Sequence, residues 1–464
     1  MAAHAVLVSG PGLGHINGCM PLAKSLLSTP SFSHITIVCF ARSYHTHLTK
    51  GHLSNLSHPS VRLEIVPDEL PLDTTTSYSQ LFATTPAMHD NLVLLLKRFH
   101  EEHRPATCLI SDMIMAWTQS VADEMGIPRV EYWTASATSY LCLVSIPHLM
   151  SKGFVCSHKG PEPLGWKTEK KIELDCIPGL PRFPLEEVPR ELRYAESTKG
   201  PVVEKFVIAA HNAHRATCVL IHSAFHLEPH AFHGLSHIGI TPYPIGPLLH
   251  QSLDATSPLD PTILTWLDSH ATSSVIYVSF GSNSKLSEQE LVELALGLEA
   301  SRHPFLLVVR EDATIEGRHL KELLPLDYFS RIDQQGLIVP WAPQCALLAH
   351  HAIGGFLSHC GWNSTMESLW MGVPILACPR AAEQPINCRL IVEDWGVGIE
   401  LQTTQEGTFS KHDVNVGVTT LLVGEAGHLA RRKAKEFSKK LREAPMEGGH
   451  SHSSLLNFAS NILK

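Results

Sequence analysis

Apolar residues follow two different periods along the chain. Short runs rich in Val, Ile and Phe alternate with longer segments in which apolar positions recur every three or four residues. Such runs are typical of strands buried on both faces, and the segments between them are typical of covering helices. The pattern predicts α/β sheets with parallel strands at 5–9, 35–40, 61–66, 107–111, 129–133 and 219–222, followed by a second series at 275–279, 305–309, 336–339, 355–358 and 374–377.

The repeated series predicts two Rossmann-like, doubly wound domains that face each other across a cleft. We place the first domain at 1–247, a polar linker at 248–258 and the second domain at 259–446. Residues 447–464 have the leucine spacing of a terminal helix that must pack against another surface. Ligands of doubly wound sheets lie beyond the carboxyl ends of strands, so function is expected in the loops that follow strands.

Composition narrows the class of protein. With 464 residues, 44% hydrophobic and 17% charged, the chain is expected to fold throughout most of its length. A net charge of -9 argues against binding to nucleic acid. Eleven cysteines without a C-x-x-C pair predict reduced thiols. No segment has the length and apolarity of a signal peptide or a membrane span, so we expect a cytoplasmic monomer.

A glycine-rich turn follows the first strand and ends at His15, ahead of a helix expected to begin around Asn17. A dinucleotide fingerprint would need glycine in place of His15, and no acidic residue follows the second strand at Phe40. A nicotinamide-dependent oxidoreductase is therefore disfavoured. A lone histidine after a strand is more often structural than catalytic, so a catalytic role for His15 requires a partner.

Asp112 is the candidate partner, because it ends another strand and reaches the same edge of the sheet. A carboxylate bound to one imidazole nitrogen fixes the tautomer and makes the other nitrogen a better base. Such a dyad can deprotonate a hydroxyl group. The alternative is that Asp112 caps the helix that follows, through Met125. On spacing alone the two interpretations are equal.

The second domain carries a denser group of polar residues between Trp341 and Glu367. The strand at 355–358 precedes His359 and Gly361, and a helix is expected to begin at Asn363 or Ser364. Free amides and the helix dipole at such an N-terminus suit a diphosphate. Glu367 is suited to accept hydrogen bonds from a ribose, or alternatively to close a capping box with Ser364.

These landmarks as a whole resemble the plant secondary-product UDP-glycosyltransferases, whose signature is a long segment in the C-terminal domain. The signature segment here spans the 44 residues 341–384. Its landmarks in register are Trp341, Pro343, Gln344, His350, Phe356, His359, Gly361, Trp362, Asn363, Ser364, Glu367, Gly372, Pro374, Pro379, Glu383 and Gln384. Further matches extend the resemblance over nearly the whole chain, at 11–15, 112, 133–134, 245–247, 266–268, 278–282 and 395–398.

The resemblance implies a GT-B fold, a UDP-sugar co-substrate and inverting transfer of a hexose to a hydroxyl group, with His15 as base and Asp112 as its partner. It implies that the final helix crosses back to the first domain. The donor contacts that it implies are Trp341 and Ala342 for uracil, Gln344 and Glu367 for ribose, Ser282, His359, Gly361, Asn363 and Ser364 for the diphosphate, and Thr134, Trp362, Glu383 and Gln384 for the sugar.

Single features of the sequence bear on the donor sugar, the acceptor and the metal requirement. Gln384 at the end of the signature segment favours glucose. Arg380 and Ala381 stand where the family usually has an aromatic residue, and the effect of Arg380 on donor choice is left open. No D-x-D sequence occurs, so no metal and no cofactor is expected. The acceptor is expected to be a flavonoid or another phenol, with a hormone or terpenoid as the alternative. A catalytically silent sugar-nucleotide binding protein is disfavoured because both His15 and Asp112 are present. The acceptor-lining candidates are Phe82, Met88, Met113, Ile114, Tyr140 and Leu143.

Overall fold

The computed structural model of the chain describes residues 3–10, 13–48, 58–69, 85–154, 173–180, 183–185, 188, 201–249, 258–281, 285–310, 318–404 and 407–463. It divides into two compact units. The first comprises Met1–Ser252 together with Ala444–Lys464, and the second comprises Leu253–Glu443. The division falls inside the segment 248–258 that we assigned to the linker, most of which lies outside the described residues, and the first unit resumes at Ala444 rather than at 447.

The first unit is built on a seven-stranded parallel sheet with the order β3-β2-β1-β4-β5-β8-β9. Its first strand is buried along its whole length, which explains the continuous apolar run in the sequence. The strands are β1 (Ala3–Val8), β2 (Phe32–Phe40), β3 (Val61–Val66), β4 (Cys108–Asp112), β5 (Arg129–Trp133), β8 (Cys218–Ile221) and β9 (Pro242–Pro244), and a separate antiparallel pair is formed by β6 (Glu173–Leu174) and β7 (Phe183–Pro184).

Helices cover the two faces of this sheet. On one face, α1 and its neighbours form a core cluster with residues such as Leu7, Ile37 and Ile110. On the other face, α3 packs through Leu92, Leu96 and Phe99. The helices are α1 (Leu13–Leu27), α2 (Ala41–Leu48), α3 (Thr85–Glu101), α4 (Thr118–Met125), α5 (Ala137–Val144), α6 (Ile146–Ser151), α7 (Pro201–Asn212) and α8 (Pro229–His237), with short 3-10 turns at Met113–Met115 and Ala213–Arg215.

The second unit repeats the design with a six-stranded parallel sheet in the order β12-β11-β10-β13-β14-β15. Its strands are β10 (Val275–Ser279), β11 (Phe305–Val308), β12 (Gly336–Val339), β13 (Ile353–Ser358), β14 (Ile375–Ala377) and β15 (Gly398–Glu400). Its helices are α9 (Pro261–Asp268), α10 (Glu288–Ser301), α11 (Leu320–Leu323), α12 (Tyr328–Arg331), α13 (Gln344–Leu348), α14 (Trp362–Met371), α15 (Gln384–Arg389), α16 (Lys411–Val423) and α17 (Glu425–Glu443), and a π-helical turn occupies Leu390–Asp394.

The terminal helix α18 (His450–Asn461) belongs to the first unit. Its Phe458 ring lies against Phe32 and Tyr243, with ring centroids 6.3 and 5.5 Å apart. The Ser451 hydroxyl donates to the Gly246 carbonyl at 2.5 Å. The second unit is therefore inserted between two segments that together complete the first.

Two helix starts differ from their predicted positions. Helix α1 begins at Leu13, so His15 lies in its first turn and Asn17 is an exposed interior residue rather than a cap. Helix α14 begins at Trp362, after Gly361. In the sequence, each helix begins directly after a glycine, Gly12 before Leu13 and Gly361 before Trp362. Within the described part of the chain, no helix is long and apolar enough to span a bilayer.

Candidate functional site

The first unit brings His15 and Asp112 into direct contact. Strands β1 and β4 are neighbours in the sheet, so the turn after β1 and the end of β4 meet at one edge. Nδ1 of His15 is hydrogen-bonded to Oδ2 of Asp112, and Asp112 is almost fully buried whereas the His15 side chain is 26% exposed. Because a carboxylate only accepts, Nδ1 carries a proton, and in a neutral imidazole the lone pair is then on Nε2. The pair has the arrangement of a general base and its orienting carboxylate.

Asp112 also caps the turn that follows it. Its Oδ1 accepts from the backbone N–H of Ile114 at 3.0 Å, at the start of the 3-10 turn Met113–Met115, and α4 begins only at Thr118. Asp112 therefore does not cap the helix through Met125, whose N-cap is Trp117 without a side-chain hydrogen bond; one of its oxygens caps the 3-10 turn instead, while the other is bonded to the imidazole. The cap fixes the carboxylate in the orientation that reaches His15.

Gly18 explains how α1 approaches β5 so closely. A side chain at Gly18 would lie 3.2 Å from the Tyr132 hydroxyl oxygen and from Cγ2 of Thr134. The Tyr132 hydroxyl donates to the Gly18 carbonyl at 3.3 Å. Tyrosine at the end of β5 and glycine in α1 therefore fit each other, next to the predicted sugar contact Thr134.

Glu228, which was not predicted as a site residue, holds the segment that follows Thr134. This buried carboxylate accepts from the backbone N–H groups of Ala137 and Thr138 at 3.0 and 2.8 Å and from the Ser223 hydroxyl at 2.5 Å. Burial raises its pKa, and the hydrogen bonds from Ser223, Thr138 and Ala137 oppose the rise. A long-range cap of this kind, 90 residues away in sequence, leaves no local pattern.

In the second unit, the N-terminus of α14 follows directly on β13. No side chain caps this helix, and its N-cap is Gly361. Cys360 has a positive φ of 65°, and its carbonyl accepts from Nδ2 of Asn387 at 2.9 Å. The chain therefore turns sharply between strand and helix and is held there by a residue outside the signature segment. An uncapped N-terminus after a buried strand retains the features expected of an anion site.

His359 stands beside this N-terminus. Its ring lies between Gly281 and Gly361, and a side chain at Gly281 would come within 2.6 Å of Cε1. Burial and the nearby Arg310 charge lower the pKa of His359 to about 4, so the imidazole is neutral at pH 7. Its Nδ1 is buried, and no hydrogen-bond partner for it exists among the residues that the structure describes. The described contacts therefore leave this polar atom unsatisfied, which is unusual for a buried nitrogen.

Glu367 does not close a capping box, which corrects one of the two interpretations of the sequence. Because α14 begins at Trp362, Ser364 is too far into the helix to be its N-cap. Instead, Nε2 of Gln344 donates to Glu367 at 2.7 Å and to the Ser364 hydroxyl at 2.9 Å, while Tyr277 donates to Oε1 of Gln344 at 3.1 Å. Burial raises the pKa of Glu367, and the Gln344 hydrogen bond opposes this. Two residues predicted to hold one ribose are thus in contact.

The other predicted donor contacts differ in their exposure. Trp341 is 56% exposed, a large apolar surface left uncovered, whereas Ala342 is buried. Trp362 is buried in the first turn of α14, together with Ser364, and Asn363 is partly exposed. Thr134 follows β5 in the first unit, and Ser282 lies outside the described residues.

The end of the signature segment is organised around Gln384. Its Oε1 accepts from the backbone N–H groups of Arg380 and Ala381 at 2.8 and 2.9 Å. Glu383 is the N-cap position of α15, which Gln384 begins. The guanidinium of Arg380 is paired with Glu290 on α10 at 2.6 Å. The amide group of Gln384 is therefore fixed at its oxygen.

The acceptor candidates are mostly interior residues. Met88, Met113, Ile114, Tyr140 and Leu143 are all buried, and the Tyr140 hydroxyl donates to Glu131 at 2.5 Å. Phe82 lies outside the described residues. The structure brings Met88 and Ile114 into one core cluster. Their contact with an acceptor stays a prediction.

One group of potential metal ligands occurs among the described residues, namely Asp268, His350 and His351. His350 Nε2 lies 3.1 Å from Oδ1 of Asp268, while its Nδ1 accepts from the Ala352 N–H at 3.3 Å. The proton of a neutral His350 is therefore on Nε2, the nitrogen that a metal would need. An ion pair or hydrogen bond with Asp268 accounts for this group.

Comparison with known proteins gives a consistent result. The model of the family described as UDP-glucoronosyl and UDP-glucosyl transferase matches residues 205–446. The 7-deoxyloganetin glucosyltransferase of Gardenia jasminoides is 33% identical, with 99% of this chain and 98% of that protein covered. The (R)-mandelonitrile beta-glucosyltransferase of Prunus dulcis is 30% identical, with 99% and 97% covered. The structure of Phytolacca americana UGT2 complexed with UDP-2fluoro-glucose and pterostilbene has a TM-score of 0.84 at 28% identity, covering 99% of both chains.

These matches confirm the prediction of a GT-B fold and of an enzyme that transfers a hexosyl group from a UDP-sugar to a hydroxyl of a small acceptor. The agreement extends over almost the whole chain, so it includes both units and not only the signature segment. The chain belongs to the UDP-glucoronosyl and UDP-glucosyl transferase family.

Proposed function

We propose that this enzyme transfers glucose from UDP-glucose, with inversion at the anomeric carbon, to a phenolic hydroxyl of a flavonoid or another small aromatic acceptor. The observation that carries the catalytic part of the proposal is the hydrogen bond between His15 Nδ1 and Asp112 Oδ2. It leaves Nε2 as the basic atom of a partly exposed imidazole.

In the proposed reaction, His15 removes the proton of the acceptor hydroxyl through Nε2. The acceptor oxygen attacks the anomeric carbon on the side opposite UDP, the bond to the diphosphate breaks, and the bonding electrons leave with UDP. Asp112 stabilises the imidazolium that forms. One displacement at that carbon inverts its configuration.

The second unit is proposed to bind the donor. Trp341 offers an exposed indole for stacking on uracil, and the Gln344–Glu367 pair offers acceptors to the ribose hydroxyls. Neutral His359 and the uncapped N-terminus of α14 offer donors to the diphosphate, whose negative charge increases as the glycosidic bond breaks. This binding uses hydrogen bonds and the helix dipole, and we propose that it requires no metal ion and no cofactor.

A phenol is the first choice of acceptor because the Phytolacca americana structure contains pterostilbene, a phenolic compound. The named relatives glucosylate 7-deoxyloganetin and (R)-mandelonitrile, which supports an alcohol or terpenoid acceptor as the second choice. We further propose that the enzyme acts as a cytoplasmic monomer.

The test is incubation with UDP-glucose and a mixed panel of flavonoids, simple phenols, terpenoid alcohols and cyanohydrins, with products read by mass for one added hexose. A phenolic β-glucoside, identified by NMR, is the expected product, and its yield should be unchanged by EDTA. If only alcohols were glucosylated, an alcohol would replace the phenol as the proposed acceptor. Loss of activity in EDTA would contradict the proposal that no metal ion is required. Binding of UDP-glucose without any product from the panel would contradict the proposed acceptor or sugar and point to a compound outside the panel.

A further inference from the structure

Arg380 is held by two contacts on its guanidinium group. One terminal nitrogen, NH2, is 2.6 Å from Oε1 of Glu290, and the other, NH1, donates to the Gly407 carbonyl at 3.1 Å. The side chains of Arg380 and Glu290 are 17% and 7% exposed, so this is a largely buried ion pair. Its charge is already matched within the second unit.

Glu290 is itself a fixed residue. It is the third residue of α10 and closes the capping box of that helix, where its Oε2 accepts from the backbone N–H of Ser287 at 2.9 Å. Because Oε2 is used by the cap, Oε1 points to Arg380 in a defined direction. The ion pair therefore ties the turn after β14 to the start of a long helix.

The backbone of this turn in turn holds Gln384. The N–H groups of Arg380 and Ala381 both donate to Oε1 of Gln384, at 2.8 and 2.9 Å. Ala382 has a positive φ of 54°, a conformation that a non-glycine residue adopts only where its surroundings require it. With Oε1 used twice, the amide of Gln384 can present only its NH2 group to a ligand.

We infer that Arg380 is a positioning residue that fixes the side-chain amide of Gln384 for recognition of the donor sugar, and that it does so through the turn rather than by contact with the donor. The inference rests on the proposed function, in which Gln384 contacts the sugar of UDP-glucose. The inference gives Arg380, which stands where the family usually has an aromatic residue, a role within the protein. According to it, the charge of Arg380 does not contact the sugar and does not select an acidic sugar.

The experiment compares the affinity for UDP with that for UDP-glucose, by calorimetry without acceptor, in wild type, Arg380→Met, Arg380→Lys and Gln384→Ala. Arg380→Met should weaken UDP-glucose binding about tenfold, the effect of one lost hydrogen bond, while UDP binding stays unchanged because UDP lacks the glucosyl group that Gln384 is proposed to contact. Arg380→Lys retains the charge but cannot make both contacts, so its affinity for UDP-glucose should lie between those of wild type and Arg380→Met. The preference for UDP-glucose over UDP-galactose should fall in parallel.

Two further variants separate positioning from general stability. Arg331→Met removes another ion pair of α10, that of Arg331 with Glu299 at 2.5 Å, and should leave both affinities unchanged. The double variant Arg380→Met/Gln384→Ala should bind UDP-glucose no more weakly than Gln384→Ala alone, because the arginine acts through the glutamine.

Several results would overturn the inference. The first is an equal loss of UDP and UDP-glucose affinity in Arg380→Met. The second is additive losses of UDP-glucose affinity in the double variant. The third is a wild-type enzyme that binds UDP-glucuronate more tightly than UDP-glucose, with that preference lost in Arg380→Met. The failure of the proposed function is distinguishable, since a wild-type enzyme that binds UDP-glucose but transfers it to no acceptor would contradict the reaction and leave these binding comparisons valid.

Discussion

At the scale of single residues, Asp112 makes two contacts that one substitution separates. Oδ1 accepts from the Ile114 N–H, and Oδ2 is bonded to His15. Asparagine has one acceptor oxygen and one donor nitrogen in almost the same shape. It can keep the cap with its oxygen, but its NH2 group then faces the imidazole.

Asp112→Asn is therefore expected to leave folding nearly intact and to reduce turnover. The amide would favour the tautomer with the proton on Nε2, so His15 could no longer accept a proton from the acceptor. We expect kcat to fall at least about 100-fold, the usual contribution of a general base, with UDP binding unchanged. Thermal melting and steady-state kinetics on a phenol give the two readouts.

Two controls accompany this prediction. Asp112→Ala removes both contacts and should cost about 1 kcal/mol of stability as well as activity. His15→Ala should abolish transfer to ordinary phenols while UDP binding persists. Near-wild-type turnover of Asp112→Asn would show that the carboxylate only caps the turn.

The sequence supports residue roles where chemistry and position agree. His15 and Asp112 were predictable because the ends of neighbouring parallel strands meet at one edge. Glu228 and Asn387 were not predictable, since each holds another segment, at Thr138 and at Cys360, by hydrogen bonds between residues that are distant in sequence. The two interpretations of Glu367 could be separated only once the first residue of α14 was known, because the N-cap position decides whether a capping box forms.

At the scale of elements, the approach of α1 to β5 depends on Gly18 and Tyr132. Alanine at Gly18 would gain about 1 kcal/mol from helix propensity but would crowd the Tyr132 hydroxyl oxygen at 3.2 Å. Overpacking of a buried site costs about 1–3 kcal/mol. The cost of crowding should exceed the gain in helix propensity, because Tyr132 is buried and Thr134 is equally close.

Gly18→Ala is thus expected to destabilise the first unit by about 1 kcal/mol, the difference between crowding and propensity. Tyr132→Phe removes the hydroxyl group that is crowded, so the same substitution should cost less in that background. A double-mutant cycle on thermal stability should give a favourable coupling of about 1 kcal/mol. Simple additivity of the two substitutions would argue that α1 shifts to make room.

The strands of both sheets show which elements a sequence can predict. Long buried runs such as that of β2 were clear, whereas β9 and β15 were not predicted. Both are three-residue strands at an edge of their sheet, and β9 begins and ends with proline. Edge strands need few apolar residues and tolerate proline, so their pattern is too weak to recognise.

At the scale of the whole chain, the first unit is assembled from two segments with the second unit between them. Helix α18 supplies Leu455, Phe458 and Ala459 to the same core cluster as β1 and β2. The first segment therefore leaves apolar surface of its sheet uncovered until the end of the chain has been made. The leucine spacing predicted a helix that needs a partner, but the position of that partner required the tertiary structure.

Phe458→Ala tests this arrangement. Removing a buried aromatic ring that contacts Phe32 and Tyr243 should destabilise the first unit by about 3–5 kcal/mol. The second unit has its own core, so UDP affinity should be retained at temperatures where the first unit still folds. Differential scanning calorimetry with and without UDP gives both readouts.

Leu456→Ala is the matched control, because Leu456 is exposed on the same helix. This substitution should change the stability by less than about 0.5 kcal/mol. Equal effects of the two substitutions would show that α18 does not complete the core of the first unit.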